Sequence, residues 1–221
     1  MTVVPFGEAA LLVEVGGAER AQRLAADLRA TPPPGVLGIV PGRASVLVEL
    51  DPFTAGGEAV PEELRRRERD LADGPLPGRR RTIPVMYGGE LGPDLSEVAR
   101  IAGLDAAEVV ALHAGAKLRV LFGGFAPGFA YIGELPAELH VDRLRTPRTR
   151  TPRGAVALAD GMTGVYPADL PGGWRVIGQT PVTLFDPTRE PPAYLVPGDL
   201  VRFVPIDADD WDAHAGLPAD W

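Results

Sequence analysis

Leu118-Arg119-Val120-Leu121-Phe122-Gly123-Gly124-Phe125-Ala126-Pro127-Gly128-Phe129-Ala130-Tyr131 sets the character of the second half of the chain. A β-prone run at 118–122 breaks into glycines and a proline set among aromatics, and the same texture recurs downstream. Further β-prone runs at 155–158, 176–177, 182–185 and 200–204 alternate with Gly/Pro turns. Short strands punctuated in this way predict a small closed or partly closed β-barrel, not another βαβ layer.

Upstream, strands and helices alternate. Apolar runs at 10–15, 36–40, 45–50 and 82–87 suit strands, and Pro41-Gly42 supplies a turn between the second and third. Ala21, Leu24, Ala25 and Leu28 share one face of a helix over 18–29, which Pro32, Pro33 and Pro34 end. A second helix is predicted over 61–72, with its arginines (Arg65, Arg66, Arg67, Arg69) on a solvated face. The order β-α-β-β-α-β is that of a ferredoxin-like unit. The predicted fold class is α+β, with a ferredoxin-like domain over 1–88 and a β-barrel domain over 89–221. Two helices at about 94–115 lead into the barrel. Asp94 with Glu97, and Asp105 with Glu108, have capping-box spacing, and Gly103 suits a left-handed helix stop. Gly74 to Gly78 reads as a connector, and the acidic stretch 207–221 as loop, with Trp211 and Trp221 packing back on the barrel.

Composition excludes several functions. The chain of 221 residues is 45% hydrophobic, and its net charge of −8 argues against a nucleic-acid partner. No run approaches a membrane span and the N-terminus does not resemble a signal peptide, so a cytoplasmic address is expected. Lys117 is the only lysine, which removes a Walker-type phosphate loop. With no cysteine, and with Ser45 and Ser96 outside any Gly-x-Ser-x-Gly elbow, a covalent acyl-enzyme is disfavoured. His113, His140 and His214 are too scattered for a zinc site, and no metal is expected.

Four pieces between Leu121 and Pro181 carry the functional signal. The aromatic Gly/Pro turn at 122–131 serves either as a buried turn or as a close backbone approach to a ligand. Arg145-Thr146-Pro147-Arg148-Thr149-Arg150-Thr151-Pro152-Arg153 reads equally as an edge strand guarded by charge and proline or as an anion-binding strip. Asp160-Gly161-Met162-Thr163-Gly164-Val165-Tyr166-Pro167 and Pro171-Gly172-Gly173-Trp174-Arg175-Val176-Ile177-Gly178-Gln179-Thr180-Pro181 each set a hydroxyl or amide beside an aromatic. Together they would line a small polar-ligand site.

These pieces, in this order, resemble the family known variously as the B subunit of 5-oxoprolinase, allophanate hydrolase subunit 1 or sporulation-kinase inhibitor. The resemblance runs from Ile83-Pro84-Val85-x-Tyr87 and Asp94-Leu95 through Gly178-x-Thr180-Pro181. It implies a cyclophilin-like barrel behind the ferredoxin-like domain. It also implies partners, namely the cyclophilin-like C subunit of the oxoprolinase and its metal-independent A subunit. ATP, with Mg, would be used by the complex to open the lactam of 5-oxo-L-proline to L-glutamate. Two other activities occur within the resemblance: inhibition of a sensor histidine kinase, and half of a urea carboxylase-like, biotin-dependent carboxyltransferase. An allophanate hydrolase reaction does not suit a chain without a suitable serine. The pattern departs at Met162, Gln179 and Ala155, where glutamine, arginine and often serine stand in the family.

Under this reading Arg148, with Arg150 or Arg153, would stabilise carboxylate or phosphoryl charge. His113 or Tyr166 would handle a proton, although a lone histidine on an apolar helix face also reads as a core residue. Gly124, Phe125, Pro127, Gly128, Tyr131, Thr163, Gly164, Trp174 and Thr180 would contact the substrate.

Overall fold

The first strands are short and half-apolar: Thr2–Pro5 (β1) and Ala10–Glu14 (β2). Helix α1 (Ala18–Ala30), strands β3 (Val36–Pro41) and β4 (Ser45–Leu50), and helix α2 (Ala59–Asp70) follow. The four strands form one antiparallel sheet in the order β1-β2-β4-β3. Alternation turns Leu11, Val13, Val46 and Val48 to one face, where Leu24 and Leu28 of α1 and Val60 and Leu64 of α2 cover them. Arg66 and Arg69 are exposed as expected, whereas Arg67 is largely buried between Asp27 and Glu63; Arg66 and Arg67 each reach Glu63 at 2.7 Å.

The computed structural model describes residues 1–53, 59–72, 76, 78–218 and 221. It divides into two compact units, Met1–Pro77 and Gly78–Trp221. Most of the connector expected at 74–78 lies outside the described residues.

The ferredoxin-like expectation holds for β2-α1-β3-β4-α2 and changes at its last member. The strand expected at 82–87 to close that unit is β5 (Arg80–Tyr87), which belongs to the barrel. Its place beside β2 is taken by β1, which the sequence reading missed. The reason lies in burial. Ile83, Pro84 and Val85 are buried in succession, which suits a strand covered on both faces rather than the edge of a half-covered sheet. The second unit therefore begins at Gly78, not at residue 89.

In the second unit β5 leads to helices α3 (Leu95–Ala102) and α4 (Ala106–Gly115). Strands β6 (Leu118–Gly123), β7 (Ala130–Gly133), β8 (Arg148–Thr151), β9 (Ala155–Ala159) and β10 (Met162–Val165) follow. Then come β11 (Leu170–Gly172), β12 (Arg175–Gln179) and β13 (Leu200–Pro205). Seven of these close a barrel in the order β10-β7-β6-β13-β5-β12-β9, while β8 and β11 form a separate ribbon. The strand expected at 182–185 is reduced to isolated bridges, Val182 with Gly216 and Phe185 with Ala193. Prolines at 181, 187, 191 and 192 remove the donors that a ladder there would need.

The barrel core, with Ile83, Val85, Val120, Ile132, Leu158, Ile177 and Phe203, is continuous with Leu95, Val98 and Val109 of α3 and α4. Asp105 and Glu108 form the expected capping box, and Gly103 ends α3 at φ 70°. Trp221 packs back as expected, donating its indole N–H to the Pro191 carbonyl at 2.9 Å. Among the described residues no helix is long and apolar enough to cross a membrane.

Candidate functional site

Four of the expected site residues, Phe125, Tyr131, Tyr166 and Trp174, meet around Phe129, which the turn between β6 and β7 delivers. Its ring stands edge-on to Phe125 at 5.3 Å, Tyr131 at 5.0 Å, Tyr166 at 5.4 Å and Trp174 at 5.7 Å. Phe122 stacks on Tyr131 at 4.3 Å, and Arg143 lies over the Trp174 ring at 6.0 Å. Edge-to-face packing at these spacings adds to area burial and holds the rings rigidly. Phe129, Tyr166 and Trp174 are buried, whereas Phe125 keeps 58% of its surface exposed. Phe125 also sits at φ 69°, a left-handed backbone that L side chains rarely adopt.

The turn itself is tightly bonded. Ala126 N–H donates to the Gly124 carbonyl at 2.8 Å and Phe129 N–H to the Ala126 carbonyl at 3.0 Å. Gly124 N–H donates to the Phe129 carbonyl at 3.3 Å, so that donor is not available to a ligand. Among the described residues, the N–H groups of Phe125 and Gly128 stay outside these bonds. Gly128 has to be glycine: at φ 82°, a Cβ there would meet Phe185 Cβ at 2.7 Å. Pro127, beside it, stiffens the turn.

The arginines of 145–153 lie before, on and after β8, and two of them, Arg148 and Arg150, pair with carboxylates. Arg148 Nη2 donates to Asp94 Oδ1 at 2.7 Å, and Nη1 lies 3.5 Å from the Trp174 carbonyl. Arg150 bonds Asp169 through Nε at 2.9 Å. Arg153 donates its backbone N–H to Asp169 at 2.8 Å and its guanidinium to Thr183 Oγ1 at 2.5 Å. That N–H, then Arg150, hold the Asp169 carboxyl below the usual range. Arg148, expected with Arg150 or Arg153 to stabilise carboxylate or phosphoryl charge, holds Asp94, while Arg150 holds Asp169 and Arg153 holds Thr183. Arg145 is exposed and has no partner among the described residues.

Asp94, which the spacing suggested as a helix cap, does something else. It makes no side-chain cap bond. Its second oxygen accepts the Val176 N–H at 2.7 Å, so one carboxylate joins the start of α3 to β8 and β12. Asp94, Asp169, Phe129 and Arg143 were not among the expected site residues. The sequence did carry a signal for two of them, Asp94 in the Asp94-Leu95 pair and Phe129 in the aromatic Gly/Pro turn.

His113 is fully buried and far from free. Tyr87 Oη lies 2.8 Å from Nδ1, Thr163 Oγ1 lies 2.9 Å from Nε2, and the Phe203 ring packs at a tilt with centroids 4.4 Å apart. Thr163 spends its only hydrogen on the Ala157 carbonyl at 3.0 Å. Nε2–H must therefore donate to Thr163, and Nδ1 must accept from Tyr87. β10 lies three strands from β5 or β13 around the ring, so a side chain touching all three occupies the barrel interior. Burial drives its pKa down to about 3, and the imidazole stays neutral at physiological pH. The expected proton carrier is a core residue whose two nitrogens are both used.

Tyr166 is also buried, among the aromatic rings, and burial raises its phenol above the usual range. Gly172 admits it closely: a Cβ there would fall 2.1 Å from Tyr166 Oη. Gly164 gives similar room, with its Cβ site 3.0 Å from Phe129 Cζ. Thr180 Oγ1 accepts the Val182 N–H at 3.3 Å and shapes a turn. Met162 and Ala155 are buried in barrel strands, and Gln179 donates to the Arg153 carbonyl at 2.6 Å.

A family model described as carboxyltransferase domain, subdomain C and D, matches residues 1–195. The 5-oxoprolinase B subunit of Escherichia coli O157:H7 is 42% identical over 207 residues, 90% of this chain and 94% of that protein. The 5-oxoprolinase B subunit of Bacillus subtilis (strain 168) is 36% identical over 226 residues, 95% of this chain and 94% of that protein. The crystal structure of TTHA0988 superposes with a TM-score of 0.77 at 37% identity, covering 90% of this chain and 40% of that longer chain. The barrel, the ordered motifs and these relatives together place the chain in the family of 5-oxoprolinase B subunits, built on the carboxyltransferase subdomain C and D fold.

Proposed function

We propose that this chain is the B subunit of an ATP-dependent 5-oxoprolinase, opening 5-oxo-L-proline to L-glutamate with a cyclophilin-like C subunit and an A subunit. Likeness to two named B subunits over nine-tenths or more of the chain carries the reading. Opening the lactam consumes one water across the amide C–N bond, and ATP hydrolysis supplies the drive that an unreactive amide needs.

On this chain the ligand wall is the exposed rim of the aromatic cluster: Phe125, the half-buried Tyr131 and the N–H groups of Phe125 and Gly128. A flat lactam ring fits against such rings, and the two donors suit its carbonyl or carboxylate oxygens. Arg148, Tyr166 and Trp174 position this wall from behind. The same face is a poor nucleotide cradle, because Arg148, Arg150 and Arg153 already hold protein acceptors. No step on this face is assigned to ATP.

The test is ATP-dependent glutamate release from 5-oxoproline by the co-expressed subunits in the cytoplasm of a host lacking its own. Absence of release from a folded, assembled complex would overturn the reading. A second reading, half of a biotin-dependent carboxyltransferase, is favoured by the description of the family model. Carboxyl transfer from a carboxylated biotin carrier, without glutamate release, would establish it instead.

A further inference from the structure

A cavity of about 600 Å³ in the barrel unit shares no residue with the aromatic cluster. Arg80 and Thr82 of β5, Leu200 and Arg202 of β13, and Lys117 in the turn after α4 line it. β5 and β13 run parallel, with Leu200 opposite Arg80 and Arg202 opposite Thr82. Strand alternation turns these four outward, while Arg81 and Val201 are buried between them. The buried Arg81 is fixed in place, 4.4 Å over the Tyr194 ring and 3.5 Å from Asp199.

Arg80, Lys117 and Arg202 are different. All three are exposed, and none makes an ion pair or side-chain hydrogen bond among the described residues. No carboxylate lines the cavity. The chain carries 30 acidic against 22 basic residues, so three cations gathered on one concave surface without a carboxylate run against its overall charge. Three cations left unneutralised around one concave surface repel one another, and an anion bound among them relieves that cost. Guanidinium forks, an ammonium and the Thr82 hydroxyl offer more donors than one carboxylate can accept, and phosphoryl oxygens match them. The volume lies within the range of about 300–1,000 Å³ usual for small-molecule sites.

We propose that this cavity binds a small, multiply charged, phosphate-bearing anion, a site separate from the aromatic wall and independent of the oxoprolinase reading. Inorganic tripolyphosphate and ATP are the probes, titrated calorimetrically into the purified full-length chain at low and at near-physiological salt. Saturable one-to-one binding is expected, weakened by added salt. Arg80→Gln, Lys117→Gln and Arg202→Gln, all exposed and compatible with folding, should each weaken it about tenfold, the order expected of one lost charge-assisted contact. Arg145→Gln, exposed in the loop ahead of β8, should leave it unchanged. Equal affinities for the two probes assign recognition to the phosphates, whereas tighter ATP binding adds the apolar wall at Ala116 and Leu200. Absence of saturable binding, or an equal loss in Arg145→Gln, would overturn the proposal.

Discussion

Arg148 and Asp94 meet at 2.7 Å across 54 residues of sequence, and the carboxylate takes the Val176 N–H at 2.7 Å with its other oxygen. The arginine that stands out most in the motif is therefore bound to the fold, as a brace between α3, β8 and β12. Its link to chemistry runs through the Trp174 carbonyl at 3.5 Å and so through the aromatic wall.

Arg148→Ala and Asp94→Asn should each destabilise the barrel unit by about 1–2 kcal/mol, since the pair is charge-assisted but partly exposed. The double variant should cost clearly less than the sum of the singles, because both remove the same interaction. Urea denaturation of the four proteins measures this coupling. Additive losses would mean that the pair contributes nothing.

For His113 the pH dependence has a definite sign. Its pKa falls from an ordinary 6.5 to about 3 on folding, so between those values the unfolded chain binds a proton that the folded one refuses. The stability associated with His113 is complete above about pH 6.5 and drains away as pH falls toward 3, by up to about 1.4 kcal/mol per pH unit. His113→Gln should be destabilised by roughly 2–3 kcal/mol at pH 7, from two disturbed buried hydrogen bonds. It should also lose that acid-side slope. Denaturation midpoints at pH 4, 5, 6 and 7 for both proteins decide it.

The barrel was legible because Gly/Pro punctuation and β-branched runs are local signals, and the capping box of α4 was legible for the same reason. β1 was not, since Thr2-Val3-Val4-Pro5 is too short and ends in a proline. The destination of β5 was also hidden. A strand run does not say which sheet it joins, and that choice is settled by what covers both faces of Ile83 and Val85. The site residues divide along the same line. The motif found the aromatics, because rings and glycines crowd together in sequence. It did not show what the arginines hold, because Asp94 lies 54 residues before Arg148 and Asp169 lies 19 residues after Arg150.

Phe125 separates function from stability. Its side chain is largely exposed and its backbone is left-handed, a conformation that costs of order 1 kcal/mol for a residue with a Cβ. Phe125→Gly should leave the melting temperature unchanged or slightly raised. Glutamate release by the assembled complex should fall at least tenfold if the ring contacts substrate. Full activity in a folded variant would remove Phe125 from the ligand wall.

Gly172→Ala tests the packing behind that wall. The added methyl would stand 2.1 Å from Tyr166 Oη, so the ring or the β11 backbone has to move. Overpacking of this kind should cost about 1–3 kcal/mol and perturb the Trp174 fluorescence, since Phe129 packs against both rings. Gly173→Ala, whose methyl would meet Pro147 at an ordinary 3.6 Å, is the control and should be nearly silent.

β13 sits between β5 and β6 in the ring, pairing in parallel with the first and antiparallel with the second. The ring is thus shut by the last of its strands to be made, and during synthesis it remains an open sheet until residue 205 has left the ribosome. A chain stopped before Leu200 would present the bare backbone edges of β5 and β6, which are templates for aggregation. Nonsense mutations or protease nicks at 186–199 should therefore be as damaging as early ones, and a pulse-labelled nascent chain should become protease-resistant in a single late step.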